Sequence, residues 1–301
     1  MKSVPYRGRF APSPTGPLHF GSLIAAVGSY LQAKCLRGAW LVRIEDIDTS
    51  RNIPGAADDI LRTLDAFGFE WDGAVAYQSQ REHLYREALD SLAKHGATFP
   101  CACSRREIAD STLAGIEGPV YPGTCRSGVP AGKAARAIRV RVAETRIEYV
   151  DLVQGKVAQY LATEIGDFVL RRADEQFAYQ LAVVVDDAQQ GITEIIRGAD
   201  LMASTPRQIY LQQLLGYETP SYGHLPIATN AAGEKLSKQT LARPLDANNA
   251  APLLFEALNF LGQHPPLELR RSSQKALWDW ALSHWSLAKV PRTRVGPMQM
   301  L

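Results

Sequence analysis

The chain has 301 residues, 46% of them hydrophobic, enough for a sizeable core and more than one domain. Its 33 Lys and Arg against 31 Asp and Glu neither mark nor exclude a nucleic-acid partner, and leave room for a local basic face. No apolar run is long enough for a membrane span, the N-terminus has no hydrophobic signal region, and four cysteines do not make a disulfide scaffold. A soluble, cytoplasmic protein without internal repeats is expected.

Arg7 to Ala11 reads as a strand that breaks at Pro12 and Pro14, with Gly16 and Pro17 finishing a turn. An apolar helical pattern follows through Leu18, Leu23, Ile24, Val27, Tyr30 and Leu31. Gly16, Gly21 and Ser22 keep side chains small where a ligand could approach the backbone. A helix N-terminus carries free N–H groups and partial positive charge, which suits a phosphate chain. His19, in the first turn, could donate to a phosphate oxygen. A strand, a loop and a buried helix with a satisfied histidine would give the same pattern. Cys35, inside this helix, is expected in the core.

Ala39 to Ile44 reads as a buried strand running into Glu45-Asp-Ile-Asp48-Thr-Ser-Arg51. Carboxylates at the C-terminal end of a strand in an α/β sheet sit where ligands bind, although a solvated acidic turn capping the next helix is the simpler account. Pro54 to Gly68 is an amphipathic helix with Ile60, Leu61, Leu64 and Phe67 inward, and Gln80 to His95 is another. Strand, helix, strand, helix predicts a parallel sheet with right-handed crossovers.

Cys101-Ala-Cys103 then follows a short strand, and Tyr121-Pro-Gly-Thr-Cys125 follows a Gly-containing loop. Close-spaced thiolates joined by a loop to further ligands suit tetrahedral zinc, and buried free thiols would suit the spacing too. The fourth ligand is not a cysteine; His95 and Tyr121 are the candidates. Arg105, Arg106 and Arg126 flank the cluster, either as phosphate contacts or as a solvated face.

Ala137 to Val142, Ile147 to Val153 and Asp167 to Arg171 read as strands completing an insertion between two halves of the sheet. Phe177 to Asp187 is expected to be a fully buried strand ending in two carboxylates. Ile192 to Arg197 is another, ending in Arg197-Gly-Ala-Asp200. Arg197 could equally form an ion pair with Asp200 or Glu194. Thr205 is a plausible N-cap for the next helix, with Pro206 at its first position and Gly216 at its end. Lys235-Leu-Ser-Lys238-Gln239 follows a Gly-containing loop. Helices over Ala250 to Leu261 and Gln274 to Trp285 form a small appendage, and Pro291 to Leu301 is expected to be irregular and mobile.

His19-Phe-Gly-Ser22 and Lys235-Leu-Ser-Lys-Gln239 resemble the two ATP motifs of class I aminoacyl-tRNA synthetases. Arg43 to Asp48 followed by Arg51 resembles the acidic motif of the glutamyl and glutaminyl branch. From about Arg7 to Gln239 the chain is similar to the catalytic half of glutamyl-tRNA synthetase. About sixty residues remain, too few for that enzyme's anticodon-binding region. The truncated family of glutamyl-queuosine tRNA(Asp) synthetases is closer, with Phe-Gly-Ser in the first motif and a Cys-x-Cys, Tyr-x-x-x-Cys zinc pattern. Against full-length glutamyl-tRNA synthetases, Ser22 replaces a glycine, Leu201 stands where a histidine often follows, and Gln239 replaces a basic residue.

The resemblance implies an α/β, Rossmann-like parallel sheet: catalytic halves over 1–98 and 173–242, a zinc-containing insertion over 99–172, and a small helical region over 243–301. It implies ATP-dependent, tRNA-independent activation of L-glutamate, then transfer to the queuosine base at the wobble position of tRNA(Asp). Arg9 and Arg197 supply guanidinium forks matching carboxylates. By resemblance Arg197 takes the side-chain carboxylate, Glu45 receives the ammonium with Tyr179 nearby, and Ala11 and Ser13 line the pocket through the backbone. Glutamine would leave a desolvated cation at Arg197 unpaired. His19, Gly21 and Ser22 hold ATP phosphates with Mg²⁺, while Lys238, assisted by Lys235, neutralises the transition state. Cys101, Cys103, Tyr121 and Cys125 would hold a structural zinc. The chain is expected to act as a monomer without a membrane. Alternatives are a compact glutamyl-tRNA synthetase acting on a tRNA 3′ end, a non-catalytic synthetase-like tRNA-binding protein, and, for the fold alone, a nucleotidyltransferase acting on a cofactor precursor.

Overall fold

A computed structural model describes residues 5–109, 114–115, 118–229 and 243–297. Strand β1 (Arg7–Phe10) leads through Pro12 and Pro14 into helix α1 (Phe20–Cys35), and β2 (Ala39–Ile44) returns parallel to β1 with Arg9 opposite Leu41. Helix α2 (Ala56–Ala66) precedes β3 (Ala76–Tyr77), which pairs parallel to β2, and α3 (Glu82–Lys94) completes this half. In the second half, β9 (Glu194–Gly198) and β10 (Ser221–Leu225) are parallel, with Arg197 directly opposite His224. Helix α5 (Thr205–Leu215) joins them and ends at Gly216, whose left-handed backbone (φ 68°) lets the chain turn back. The halves meet where Thr193 N–H donates to the Arg7 carbonyl at 2.9 Å.

The intervening segment supplies antiparallel strands β4 (Thr98–Cys101), β5 (Ala137–Val140) and β8 (Val169–Arg171), in the order β8, β5, β4, and a hairpin of β6 (Arg146–Asp151) and β7 (Gly155–Tyr160). The central strands are apolar on both sides because both faces are covered. On one face Val42, Ile44, Ile196 and Leu225 pack with α1, α2 and the C-terminal helices α6 (Ala250–Phe260) and α7 (Gln274–His284). On the other, Ile195 and Tyr222 pack with α3, α4 (Tyr179–Gln189) and α5. Gly28 of α1 sits so close to β10 that a Cβ there would lie 2.5 Å from Leu225 Cδ1. Trp278 of α7 donates Nε1–H to Phe67 O at 2.9 Å and joins an aromatic cluster with Tyr30 and Phe69. No helix among the described residues is long and apolar enough to cross a membrane.

Four expectations are corrected. Phe177 to Asp187 is not a strand: Tyr179–Gln189 is helix α4. Its Val183, Val184 and Val185 favour strand, but the segment is packed against apolar groups around most of its circumference, and in that setting tertiary burial overrides local preference. The N-cap of α5 is Ser204, one residue earlier than Thr205: Thr205 is already the first residue of the helix, and its hydroxyl accepts from Arg197 instead of capping. Cys35 is the last residue of α1 and only half-buried, its thiol 3.2 Å from Leu282 O, because the helix runs outward there. Within the tail, Val295–Pro297 is a strand, β12, paired parallel with β11 (Ile227–Thr229).

Candidate active site

A cavity of about 530 Å³ opens at the C-terminal ends of β1, β2 and β9, beside the start of α1. It is lined by every candidate pocket residue the sequence suggested outside the lysine motif: Arg9, Ala11, Ser13, His19, Gly21, Ser22, Glu45, Tyr179 and Arg197. His19 is the N-cap of α1 rather than part of its first turn, with extended dihedrals and Nδ1 accepting from Ser22 N–H at 3.4 Å. That acceptor role assigns the ring proton to Nε2, and a donor at this point suits an anion at the helix N-terminus.

The polar floor of the cavity is a buried charge network. Arg9 donates Nε and Nη2 to Asp187 at 3.1 and 3.2 Å. Arg43, fully buried in β2, donates to Asp187 at 2.8 Å, to Glu45 at 3.2 Å and to Gln190 at 2.6 Å. Asp186 accepts from Gln78, Arg81 and Tyr85 at 2.8, 2.6 and 2.8 Å. Burial raises the Asp187 carboxyl, but Arg9 and Arg43 outweigh it and hold it below the usual carboxylate range. Burial raises Glu45 and its two arginine neighbours only partly offset this, so Glu45 lies above the usual range. A carboxylate in that state gains from a cation brought against it.

Arg197 is 4% exposed. Its donors go to neutral groups: Nε to His224 Nε2 at 3.1 Å, Nη2 to Thr205 Oγ1 at 2.8 Å and to Gln208 Oε1 at 2.7 Å. Glu194 instead accepts from Gln32. Nη1 of Arg197 is buried without a hydrogen-bond partner. Among the described residues Arg197 has no carboxylate in ion-pair contact, and a guanidinium so placed, lining a cavity, is a ready receptor for an anion.

Cys101, Cys103 and Cys125 bring their sulfurs within 4.8 Å of one another. Cys103 Sγ and Cys125 Sγ are 3.6 Å apart, and a tetrahedral zinc with about 2.3 Å bonds would space them about 3.8 Å. The Tyr121 hydroxyl lies 3.5 Å from Cys101 Sγ and 3.7 Å from Cys103 Sγ, and accepts the Cys125 N–H at 2.8 Å. His95 is exposed at the end of α3, its ring bonded to Ser91 O, so Tyr121 is the fourth group present. Arg139 donates to Cys101 Sγ at 3.3 Å and stacks over the Tyr121 ring at 4.0 Å. It is a built-in countercharge for an anionic cluster. The three sulfurs and the phenol are a donor set that fits zinc. Arg105, Arg106 and Arg126 are all exposed, and Arg126 also donates to Val142 O at 2.9 Å.

Lys235, Lys238 and Gln239 lie outside the described residues. On either side of them, Ile227 lines the cavity and Pro244 bridges to His19, with Leu245 N–H donating to Leu18 O at 2.9 Å. Arg43, Asp187, His224 and Asp151 belong to the site's support; the sequence placed Arg43 only within the acidic motif and Asp187 only as a terminal carboxylate, and singled out neither His224 nor Asp151. The signal available was a charged or titratable residue inside an apolar run: Arg43 in Ala-Trp-Leu-Val-Arg-Ile and His224 in Tyr-Gly-His-Leu.

The family of tRNA synthetases class I (E and Q), catalytic domain, matches residues 5–253. The glutamyl-Q tRNA(Asp) synthetase of Dechloromonas aromatica is 64% identical over 96% of this chain and 96% of its own length. That of Chromobacterium violaceum is 57% identical over 100% and 99%, and that of Pseudomonas aeruginosa 50% over 98% and 99%. The crystal structure of a glutamate tRNA ligase from Elizabethkingia meningosepticum in complex with its amino acid superposes with a TM-score of 0.80 at 24% identity. It covers 98% of this chain and 67% of the other, and speaks to the fold alone.

Proposed function

Because the chain belongs to the class I tRNA synthetases for E and Q, we propose that it is a ligase of the glutamyl-Q tRNA(Asp) kind. It activates L-glutamate with ATP and transfers it to queuosine in tRNA(Asp). The observation that carries the reading is the pairing, in one cavity, of Arg197, whose buried Nη1 lacks a partner, with Glu45, whose carboxyl is destabilised by burial. A glutamate side-chain carboxylate answers the first and its ammonium the second. Tyr179 and Arg9 border the same space, and Ala11 and Ser13 offer backbone groups at the break after β1.

The first step is in-line attack of the substrate α-carboxylate on the α-phosphate, with negative charge growing on pyrophosphate. Such chemistry asks for position and countercharge rather than a general base. His19, Gly21 and Ser22 at the start of α1 hold phosphate oxygens in this reading, and Lys235 and Lys238 add positive charge, with Mg²⁺ arriving on the nucleotide. Transfer uses a hydroxyl of the queuosine cyclopentene ring. We assign zinc to Cys101, Cys103, Tyr121 and Cys125, where four protein ligands would cross-link the insertion and leave no open position. The divisions expected from sequence, 1–98, 99–172, 173–242 and 243–301, are retained as the working domain scheme, with a monomer as the acting unit.

The test is acceptor profiling: labelled glutamate and ATP offered with tRNA(Asp) that has or lacks queuosine, and with tRNA(Glu). Label appearing only on queuosine-containing tRNA(Asp) is expected. Label on the tRNA(Glu) 3′ end would favour a compact glutamyl-tRNA synthetase, and no ATP–pyrophosphate exchange with glutamate would favour a non-catalytic protein.

A further inference from the structure

Arg197 is held from behind by a chain of buried groups that begins in a different part of the fold. His224, directly opposite it on β10, accepts Arg197 Nε–H through Nε2 at 3.1 Å. Nδ1 of the same ring lies 2.6 Å from Asp151 Oδ2, a carboxylate oxygen that accepts. Asp151 closes β6, in the insertion. Its other oxygen, Oδ1, accepts three backbone N–H groups: Val153 at 3.0 Å, Gln154 at 2.8 Å and His224 at 3.1 Å. Asp151 and His224 are both fully or almost fully buried.

We infer that Asp151 and His224 are positioning residues that aim the Arg197 guanidinium at the amino-acid side chain, by locking His224 in the tautomer with its proton on Nδ1. Only that tautomer presents a lone pair to Arg197 Nε–H. A ring protonated on Nε2, or on both nitrogens, would set N–H against N–H at 3.1 Å and turn the guanidinium away. Burial, and then the Arg197 charge, push His224 towards the neutral form despite Asp151, in keeping with a single proton on the ring. With Nε and Nη2 fixed on His224, Thr205 and Gln208, the unpartnered Nη1 is the group left for a ligand. The insertion would thereby contribute to amino-acid selection without touching the amino acid.

The inference singles out Asp151→Asn. Three backbone donors oblige the new amide oxygen to occupy the Oδ1 place. Its NH₂ then faces His224 Nδ1 and forces the proton to Nε2. The change is isosteric, so a role in shape alone predicts little effect. A tautomer role predicts that the glutamate KM rises roughly 10- to 100-fold, the factor for a buried donor losing its partner. The ATP KM should stay near wild type and preference for glutamate over glutamine should fall. His224→Gln, which can accept from Arg197 and donate to Asp151, should recover most of the glutamate affinity that His224→Leu loses.

The reading rests on glutamate being the substrate, so one measurement avoids it. ¹⁵N shifts of the His224 ring in the wild-type protein, assigned by difference with His224→Gln, should show Nδ1 protonated and Nε2 bare. A proton on Nε2, or an Asp151→Asn enzyme with unchanged glutamate KM and selectivity, overturns the inference even if Asp151→Asn had to be abandoned for poor folding and only the first were read. Wild-type protein that exchanges nothing with glutamate would sink the proposed function and leave the tautomer result standing.

Discussion

Arg9 and Asp187 meet through two hydrogen bonds, at 3.1 and 3.2 Å, across 178 residues of chain. The pair joins the end of β1 to the last turn of α4, and Arg43 closes it from β2 at 2.8 Å. One acidic side chain therefore holds two cations beside the cavity.

Asp187→Ala should strip both arginines of their shared partner. A buried pair broken from one side costs about 3–5 kcal/mol, so the urea midpoint at pH 7 should fall markedly. The wild-type carboxyl lies below its unfolded value of about 3.9, so its contribution is complete above that pH and fades as pH falls through the folded value. Urea titrations from pH 7 down to 3 should show the wild type and Asp187→Ala converging at the acidic end.

Arg197→Ala removes the cation proposed to read the side-chain carboxylate and leaves His224, Thr205 and Gln208 without their donor. Its kcat/KM for glutamate in ATP–pyrophosphate exchange should drop roughly 10²-fold or more. Arg197→Lys should recover little, since a point charge cannot serve three acceptors held in a planar fork's geometry.

Tyr121→Phe deletes the hydroxyl nearest the three sulfurs and the acceptor of the Cys125 N–H. Metal content by mass spectrometry should be about one zinc per wild-type chain, with affinity weakened about 10- to 100-fold in the variant. His95→Ala should leave metal content unchanged. Equal zinc in wild type and Tyr121→Phe would remove the tyrosine from the ligand set.

Gly28→Val drives a branched side chain into Leu225, which is fully buried and lines the cavity. Overpacking of this kind costs about 1–3 kcal/mol. The thermal midpoint should fall, and displacement of Leu225 into the cavity it lines should raise the ATP KM.

Much of the fold was legible. β1 is a short extended segment stopped by Pro12 and Pro14, β2 and β9 have apolar centres bounded by Gly or charge, and α2, α3, α6 and α7 show their periodicity openly. Helix α4 failed that reading because Leu181 to Val185 is buried throughout, and a run apolar on every side has no period to detect. The residues lining the cavity came from motifs and resemblance. Their supports did not, because Asp151 with His224, and Arg43 with Asp187, are 73 and 144 residues apart. Nothing in local spacing ties such partners together. Arg43 and His224 did leave a trace, a polar residue where the strand pattern asked for an apolar one; Asp187, in helix α4, and Asp151, at a strand end, left none of that kind.

The bond from Thr193 to Arg7 has a consequence for the order of events during synthesis. β1 leaves the ribosome early, yet its second neighbour is made more than 180 residues later. At about 5–20 residues per second that edge waits roughly 10–40 s. A nascent chain lacking β9 carries Arg9 without Arg197, so amino-acid recognition would arise abruptly, late in translation, when the last central strands dock.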